Sequence, residues 1–180
     1  MEEANLWQEI NPKNSDGTFS VVVEIPKDSQ YKYEFDLDTG NFELEKKLTI
    51  EQTFPFDYGF VPRTLGGDND PLDVVILSNQ KLRQGDIIKI KLVGIMRMLD
   101  NNEIDDKTIG IARGDVYWER KILMKEELNK EFQKIKKWFE LYKKIESTKL
   151  KIIGFDDEKK ARKNLNEGIN KYKEIFRNAK

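Results

Sequence analysis

Apolar positions along the chain follow two different periods, and the change between them falls near residue 120. From Phe19 to about Arg113 they alternate with polar residues or form short β-branched runs, the pattern of strands. Phe19–Ile25 reads as one strand, closed by Pro26. Tyr31–Leu37 and Asn41–Leu48 flank Asp38-Thr39-Gly40, a hairpin signal in which glycine supplies the positive φ of a tight turn. Val74–Leu77 is a short buried strand, Asp86–Leu92 alternates isoleucine with lysine and runs on to Met98, and Thr108–Ala112 is a further strand. Beyond Lys121 the spacing lengthens: Leu128, Phe132, Ile135, Phe139, Tyr142 and Ile145 mark one face of a long amphipathic helix. Leu150–Ile153 predicts a short strand stopped by Gly154. Ala161, Leu165, Ile169, Tyr172 and Phe176 then predict a second helix, with Asp156 or Asp157 as its N-cap. Strands first and helices after them give an α+β fold with a curled or closed, mainly antiparallel sheet and two C-terminal helices. Trp7, Trp118 and Trp138 are expected to pack in its core.

Composition narrows the chemistry more than it narrows the fold. The 180 residues contain no repeat, low-complexity tract or long linker, which predicts a single domain over 1–180. A chain of this length buries roughly 70% of its unfolded surface, enough for a core without staples. Cysteine and histidine are both absent, which excludes disulfides, thiolate and imidazole metal sites, Cys nucleophiles and Ser-His-Asp machinery. Acid–base or metal chemistry here has only carboxylates, amines, hydroxyls and water to work with. Charged residues make up 36% of the chain, yet the net charge is only −1. The balance hides a split, with 14 basic and 23 acidic residues in 1–120 against 18 and 10 in 121–180. We read the basic part as solvated faces of lysine-rich helices, with neither nucleic acid nor a membrane surface as partner. Met1–Trp7 has no basic and apolar leader pattern, and runs such as Leu92–Met96 are too short to span a bilayer. A cytoplasmic location is the expectation.

Two acidic turns carry the candidate chemistry. In Asp68-Asn69-Asp70-Pro71-Leu72-Asp73, carboxylates at i, i+2 and i+5 share a turn bent by proline and anchored by the strand that follows. Carboxylates packed together repel unless a cation holds them, and oxygen-only donors favour Mg²⁺, Mn²⁺ or Ca²⁺ over zinc. An EF-hand is excluded, because Leu72 falls at a ligand position, Asp73 replaces the turn glycine and Asn79 the bidentate glutamate. The second turn, Asp100-Asn101-Asn102-Glu103-Ile104-Asp105-Asp106-Lys107, lies between two strands. Read alone it is a hairpin loop; beside the first it suggests a shared metal pocket. Lys32, Lys46, Arg63, Lys107 and the Tyr142-Lys143 pair are the groups available to complete a phosphate site.

The string from Asp68 to Val74 resembles the signature of the soluble family I inorganic pyrophosphatases. Further anchors follow in that family's order: Glu24-Ile25-Pro26, Lys32-Tyr33-Glu34, the stretch from Asp57 to Pro62, Val93-Gly94, Asp100/Asp105/Lys107 and Tyr142-Lys143. The resemblance implies a mainly antiparallel five-stranded OB-like β-barrel with helices beside it, and hydrolysis of inorganic diphosphate to two orthophosphates with several Mg²⁺ ions, Mn²⁺ being a possible substitute. It assigns Asp68, Asp70, Asp73, Asp100 and Asp105 as metal ligands, Glu24 as an acid bordering further metals, and Asp70 also as the base toward the attacking water. Lys32, Lys107, Tyr142 and Lys143 correspond to groups that hold phosphate oxygens, while Glu34 and Tyr58 orient the network. The short, prokaryotic type implies a homo-oligomer, commonly a hexamer.

Two positions depart from the pattern. Lys46 stands where the resemblance implies a phosphate-binding arginine, and Phe54 where it implies a tyrosine. A lost interaction at such a position costs about 1–3 kcal/mol, or roughly tenfold to a hundredfold in rate. These departures leave open a pseudo-enzyme or a hydrolase of another phosphoanhydride. A more distant alternative is an OB-type nucleic-acid-binding module, which the acidic strands disfavour.

Overall fold

The computed structural model describes residues 5–177; Met1–Ala4, part of the segment read for a leader, lie outside them. After a short helix α1 (Leu6–Glu9), strand β1 (Phe19–Ile25) starts where the alternation begins. The hairpin strands β2 (Tyr31–Phe35) and β3 (Phe42–Lys47) pair only with each other, joined through Gly40, whose φ is 73°. β4 (Asp57–Phe60), β5 (Asp73–Leu77), β6 (Ile87–Asp100) and β8 (Lys107–Ala112) close with β1 into a ring, in the order β1-β4-β5-β8-β6 and back to β1. Each pairing is antiparallel except β5 with β8, which is parallel. The short β7 (Glu103–Ile104) folds back on β6 through Asn101 and Asn102, both at positive φ as a two-residue hairpin turn requires. Helices α2 (Val116–Lys121) and α3 (Lys125–Ile145), strand β9 (Leu150–Asp157) and helix α4 (Glu158–Arg177) complete the chain.

Both faces of the ring are covered, which explains its continuous apolar runs. One set of strand residues, including Ile25, Val75, Met96 and Ile109, packs against Phe132, Ile135 and Phe139 of α3. The alternate set, including Val23, Val74, Ile76 and Ile95, packs against Ala161, Leu165 and Ile169 of α4. The helical stripes read from the sequence therefore bury the faces expected of them. Trp7 and Trp118 are buried, and Trp138 is partly buried against the α3 cluster. Asp157 caps α4 by accepting the Lys160 N–H at 3.1 Å. No helix among the described residues is long and apolar enough to cross a membrane.

Three features differ from the sequence reading. β4 has all four residues buried and so shows no alternation to read. A Cβ built on its Gly59 falls 1.9 Å from the Val22 carbonyl oxygen, so only glycine allows β4 to lie this close to β1. α2 is six residues long, too short for a helical period, and is started by Asp115, whose carboxylate accepts the Trp118 N–H at 3.2 Å. Gly154 does not stop β9. The register against β6 shifts there, and the strand continues to Asp157 through the glycine's φ of 155°.

Candidate active site

The first acidic turn is held from both ends and from behind. The Gly66 N–H donates to the Asp70 carbonyl at 2.7 Å, and the Asp70 N–H donates to Asp68 Oδ1 at 3.0 Å. Asn69 sits between them at φ 71°, a conformation asparagine tolerates. Behind the turn, Lys171 of α4 donates to the Gly66 carbonyl and, at 3.0 Å, to Asn69 Oδ1. Pro71 ends the bend, and Asp73 enters β5 facing the same side as Asp68 and Asp70. From across the ring, the end of β6 supplies Asp100 and the β7–β8 connection supplies Asp105, whose N–H donates to the Met98 carbonyl at 3.0 Å. Neighbouring Asp106 turns away and pairs with Arg97 at 2.7 Å.

These elements enclose a cavity of about 440 Å³. Asp68, Asp70, Asp73, Asp100 and Asp105 all line it, joined by Glu24 from β1, Lys32 and Glu34 from β2, and Tyr58 from β4. Lys107 from β8 and Tyr142 and Lys143 from α3 close the far side. Lysine ammonium groups lie between the carboxylates. Lys107 Nζ is 2.5 Å from both Asp73 Oδ2 and Asp105 Oδ1, and Lys143 Nζ is 2.5 Å from Asp100 Oδ2. Lys32 pairs with Glu34 at 2.9 Å and also with Glu45.

Two residues singled out from the sequence are placed elsewhere. Lys46 does not line the cavity: its ammonium pairs with Glu146, a residue the sequence reading missed, and sits 5.3 Å from the Tyr142 ring centre. Arg63 is remote from the cluster, donating to the backbone carbonyls of Gln8 and Glu9. Phe54 does line the cavity, but as part of an aromatic wall with Trp138 at 4.5 Å and Tyr142 at 5.7 Å between ring centres. Trp138 was expected only to pack, and it also faces the cavity; its position one turn before Tyr142 on α3 was the available signal. Glu146 carried no such signal, being one glutamate among many on a charged helix.

Burial and mutual repulsion set the electrostatics. Burial first, and then Asp73, push the Glu24 carboxyl up to about 8, although its Oε1 accepts the Phe35 N–H at 2.9 Å. Burial followed by Asp68 and Asp73 raises Asp70, and burial also raises Asp105 despite the opposing pull of Lys107. Tyr58 is driven well above its ordinary range by burial and by Asp73. Burial works against the charge of Lys107, but the Asp73, Tyr58 and Asp105 side chains outweigh it and hold the ammonium protonated.

Such a concentration of carboxylates calls for cations. Among the described residues, no three of them meet closely enough to hold an ion between them as they stand, and the Lys107 ammonium occupies the space between Asp73 and Asp105. The donor set nevertheless fits a hard divalent cation: every ligand atom is oxygen, and Asp100 Oδ1 is buried with no hydrogen-bond partner.

Comparison with known proteins agrees with this geometry. The family model described as inorganic pyrophosphatase matches residues 21–173. The chain is 38% identical over 154 residues to a soluble inorganic pyrophosphatase of Zea mays, covering 84% of this chain and 72% of that one. It is 37% identical over 155 residues to an inorganic pyrophosphatase of Helicobacter pylori, covering 84% of this chain and 90% of that one. The crystal structure of an inorganic pyrophosphatase from Thermus thermophilus superposes with a TM-score of 0.85 at 33% identity, over 94% of this chain and 99% of that one. A matched stretch that runs from β1 into α4, and so takes in every residue lining the cavity, places this chain in the inorganic pyrophosphatase family.

Proposed function

We propose that this chain hydrolyses inorganic diphosphate to two orthophosphates, with Mg²⁺ as the working ion and Mn²⁺ able to replace it. The observation that carries the reading is the convergence of both acidic turns with Lys32, Lys107 and Lys143 on one cavity, in a chain of this family. A strongly anionic substrate needs cationic groups to grip it and carboxylates to hold the ions that neutralise it; the cavity offers both.

Asp68, Asp70, Asp73, Asp100 and Asp105 hold the cations, with Glu24 at the border of the set. Divalent cations held there would supply positive charge against the phosphates and would make the attacking water more acidic. Asp70 takes a proton from that water, and it needs no raised pKa to do so because the water is already made more acidic. Lys32, Lys107 and Lys143 donate to the phosphate oxygens, and the buried Tyr142 hydroxyl, which has no partner among the described residues, adds a neutral donor. Glu34 orients Lys32, and Tyr58 orients Lys107 from 5.9 Å beneath it. Lys46 joins the phosphate grip only by leaving Glu146.

The same reading takes the five-stranded ring as an OB-like barrel and residues 1–180 as a single domain. It makes the protein a cytoplasmic homo-oligomer, a hexamer, that binds neither nucleic acid nor membrane. The test is phosphate release from diphosphate by the purified protein in Mg²⁺, with tripolyphosphate and ATP as parallel substrates. Release no faster than the protein-free control refutes the reading, and faster release from tripolyphosphate or ATP reassigns the substrate.

A further inference from the structure

The cavity has a cation beside it that it does not use. Lys46 stands directly opposite Lys32 in the β2–β3 register, so the two side chains leave the same face of the hairpin. Lys32 reaches the cavity and Lys46 does not. Glu45 pairs with both lysines, 3.8 Å from Lys46 Nζ, and so does not separate them; Glu146 does, at the C-cap of α3, whose Oε1 takes the Lys46 ammonium while its Oε2 lies 3.9 Å from Lys143 Nζ. The glutamate side chain is 17% exposed and the lysine 32%, so water screens the pair only in part. Lys46 Nζ is already over the Tyr142 ring, whose hydroxyl carries no hydrogen bond and whose side chain lines the cavity. A rotation of the flexible lysine stem is enough to bring this ammonium to an anion held against Tyr142 and Lys143.

The geometry points to Glu146 as a positioning residue that withholds Lys46 from the substrate and so weakens the grip on diphosphate. It acts through Lys46 and touches no reacting atom. The inference rests on the diphosphate reading above. A glutamate that merely braced the site would loosen substrate binding when removed, whereas one that competes with the substrate for a lysine tightens it.

Glu146→Gln keeps the shape and removes the charge. Its KM for diphosphate in saturating Mg²⁺ is expected to fall about three- to tenfold, the gain of one charge-assisted contact, with kcat within about twofold. Lys46→Gln alone sets the baseline for the double variant, in which the gain from Glu146→Gln is expected to disappear. The non-hydrolysable analogue methylenediphosphonate, titrated by calorimetry, reads the same affinity without turnover. A KM or analogue affinity in Glu146→Gln that is unchanged or weaker overturns the inference, as does an equal gain in the Lys46→Gln background. If the parent hydrolyses no diphosphate, the functional reading fails, and the analogue titration still decides the role of Glu146.

Discussion

Replacing Lys107 by methionine is the most direct test of how the site is held together. The substitution keeps the apolar stem and removes the ammonium that lies 2.5 Å from both Asp73 and Asp105, at a side chain only 6% exposed. Removing one partner of a buried ion pair costs about 3–5 kcal/mol, because the opposite charge is left without compensation. Here two carboxylates are left facing each other, but they are 29% and 24% exposed, so water relieves part of the penalty. We expect a loss of about 2–4 kcal/mol in urea unfolding at neutral pH in EDTA, a large share of the ~5–15 kcal/mol typical of a folded domain. The loss has a sign in pH. Asp105, whose carboxyl burial already raises, takes up its proton more readily in the folded variant than in the unfolded chain, so the deficit is greatest at neutral pH and shrinks on acidification. Millimolar Mg²⁺ should recover stability in the variant more than in the parent, by replacing the missing positive charge between the same oxygens. A loss below about 1 kcal/mol, or one that does not change between neutral pH and pH 4, refutes the view that this lysine is the internal counter-ion of the acidic cluster.

Other perturbations separate chemistry from fold. Asp70→Asn should lower the rate of phosphate release by about 10²–10⁴-fold, the usual worth of a general base, while circular dichroism and the thermal midpoint stay close to the parent's; parent-like turnover would remove Asp70 from that role. Asp57 lies outside the cavity, with Oδ1 accepting the Lys27 N–H at 2.8 Å and Oδ2 buried without a partner, and burial raises its pKa above 3.8. The folded state therefore keeps its proton to higher pH than the unfolded state, and this group costs stability as pH rises through that window. Asp57→Asn should gain on the parent in urea unfolding from about pH 3.8 upward and then level off, and a difference that is flat with pH counts against the assignment. Gly59→Ala sets a methyl 1.9 Å from the Val22 carbonyl oxygen, and because the neighbour is backbone it should destabilise by more than about 3 kcal/mol; a near-neutral alanine variant would contradict the β1–β4 packing.

Legibility followed the reach of each physical signal. The stripes of α3 and α4 are visible because burial on one side of a helix leaves a period in the sequence, and β1 and β5 because an unbroken β-branched run marks a strand buried on both faces. β4 is not, because its four residues, Asp57 to Phe60, include a glycine and no β-branched run. Asp68, Asp70 and Asp73 are legible as a cluster, since a proline-bent turn keeps near neighbours near. That Asp100 and Asp105 face them was suggested by a second acidic turn at a strand end and assigned through the family resemblance; the ring that brings β6 and β8 against β5 is set by pairings between distant segments.

The sequence by itself therefore determined the kind of chemistry available: oxygen donors and ammonium groups, with no imidazole or thiol, arranged as two acidic turns at strand ends. It also placed the chain in its family through short ordered anchors. The tertiary structure alone decided which groups of like type share the cavity. Lys32 and Lys46 are equivalent in pattern and opposite in register, yet one lines the cavity and the other is tied to Glu146, a hundred residues away along the chain. Charge pairing across such distances depends on where α3 ends against the hairpin, and no local pattern in the sequence encodes that distance.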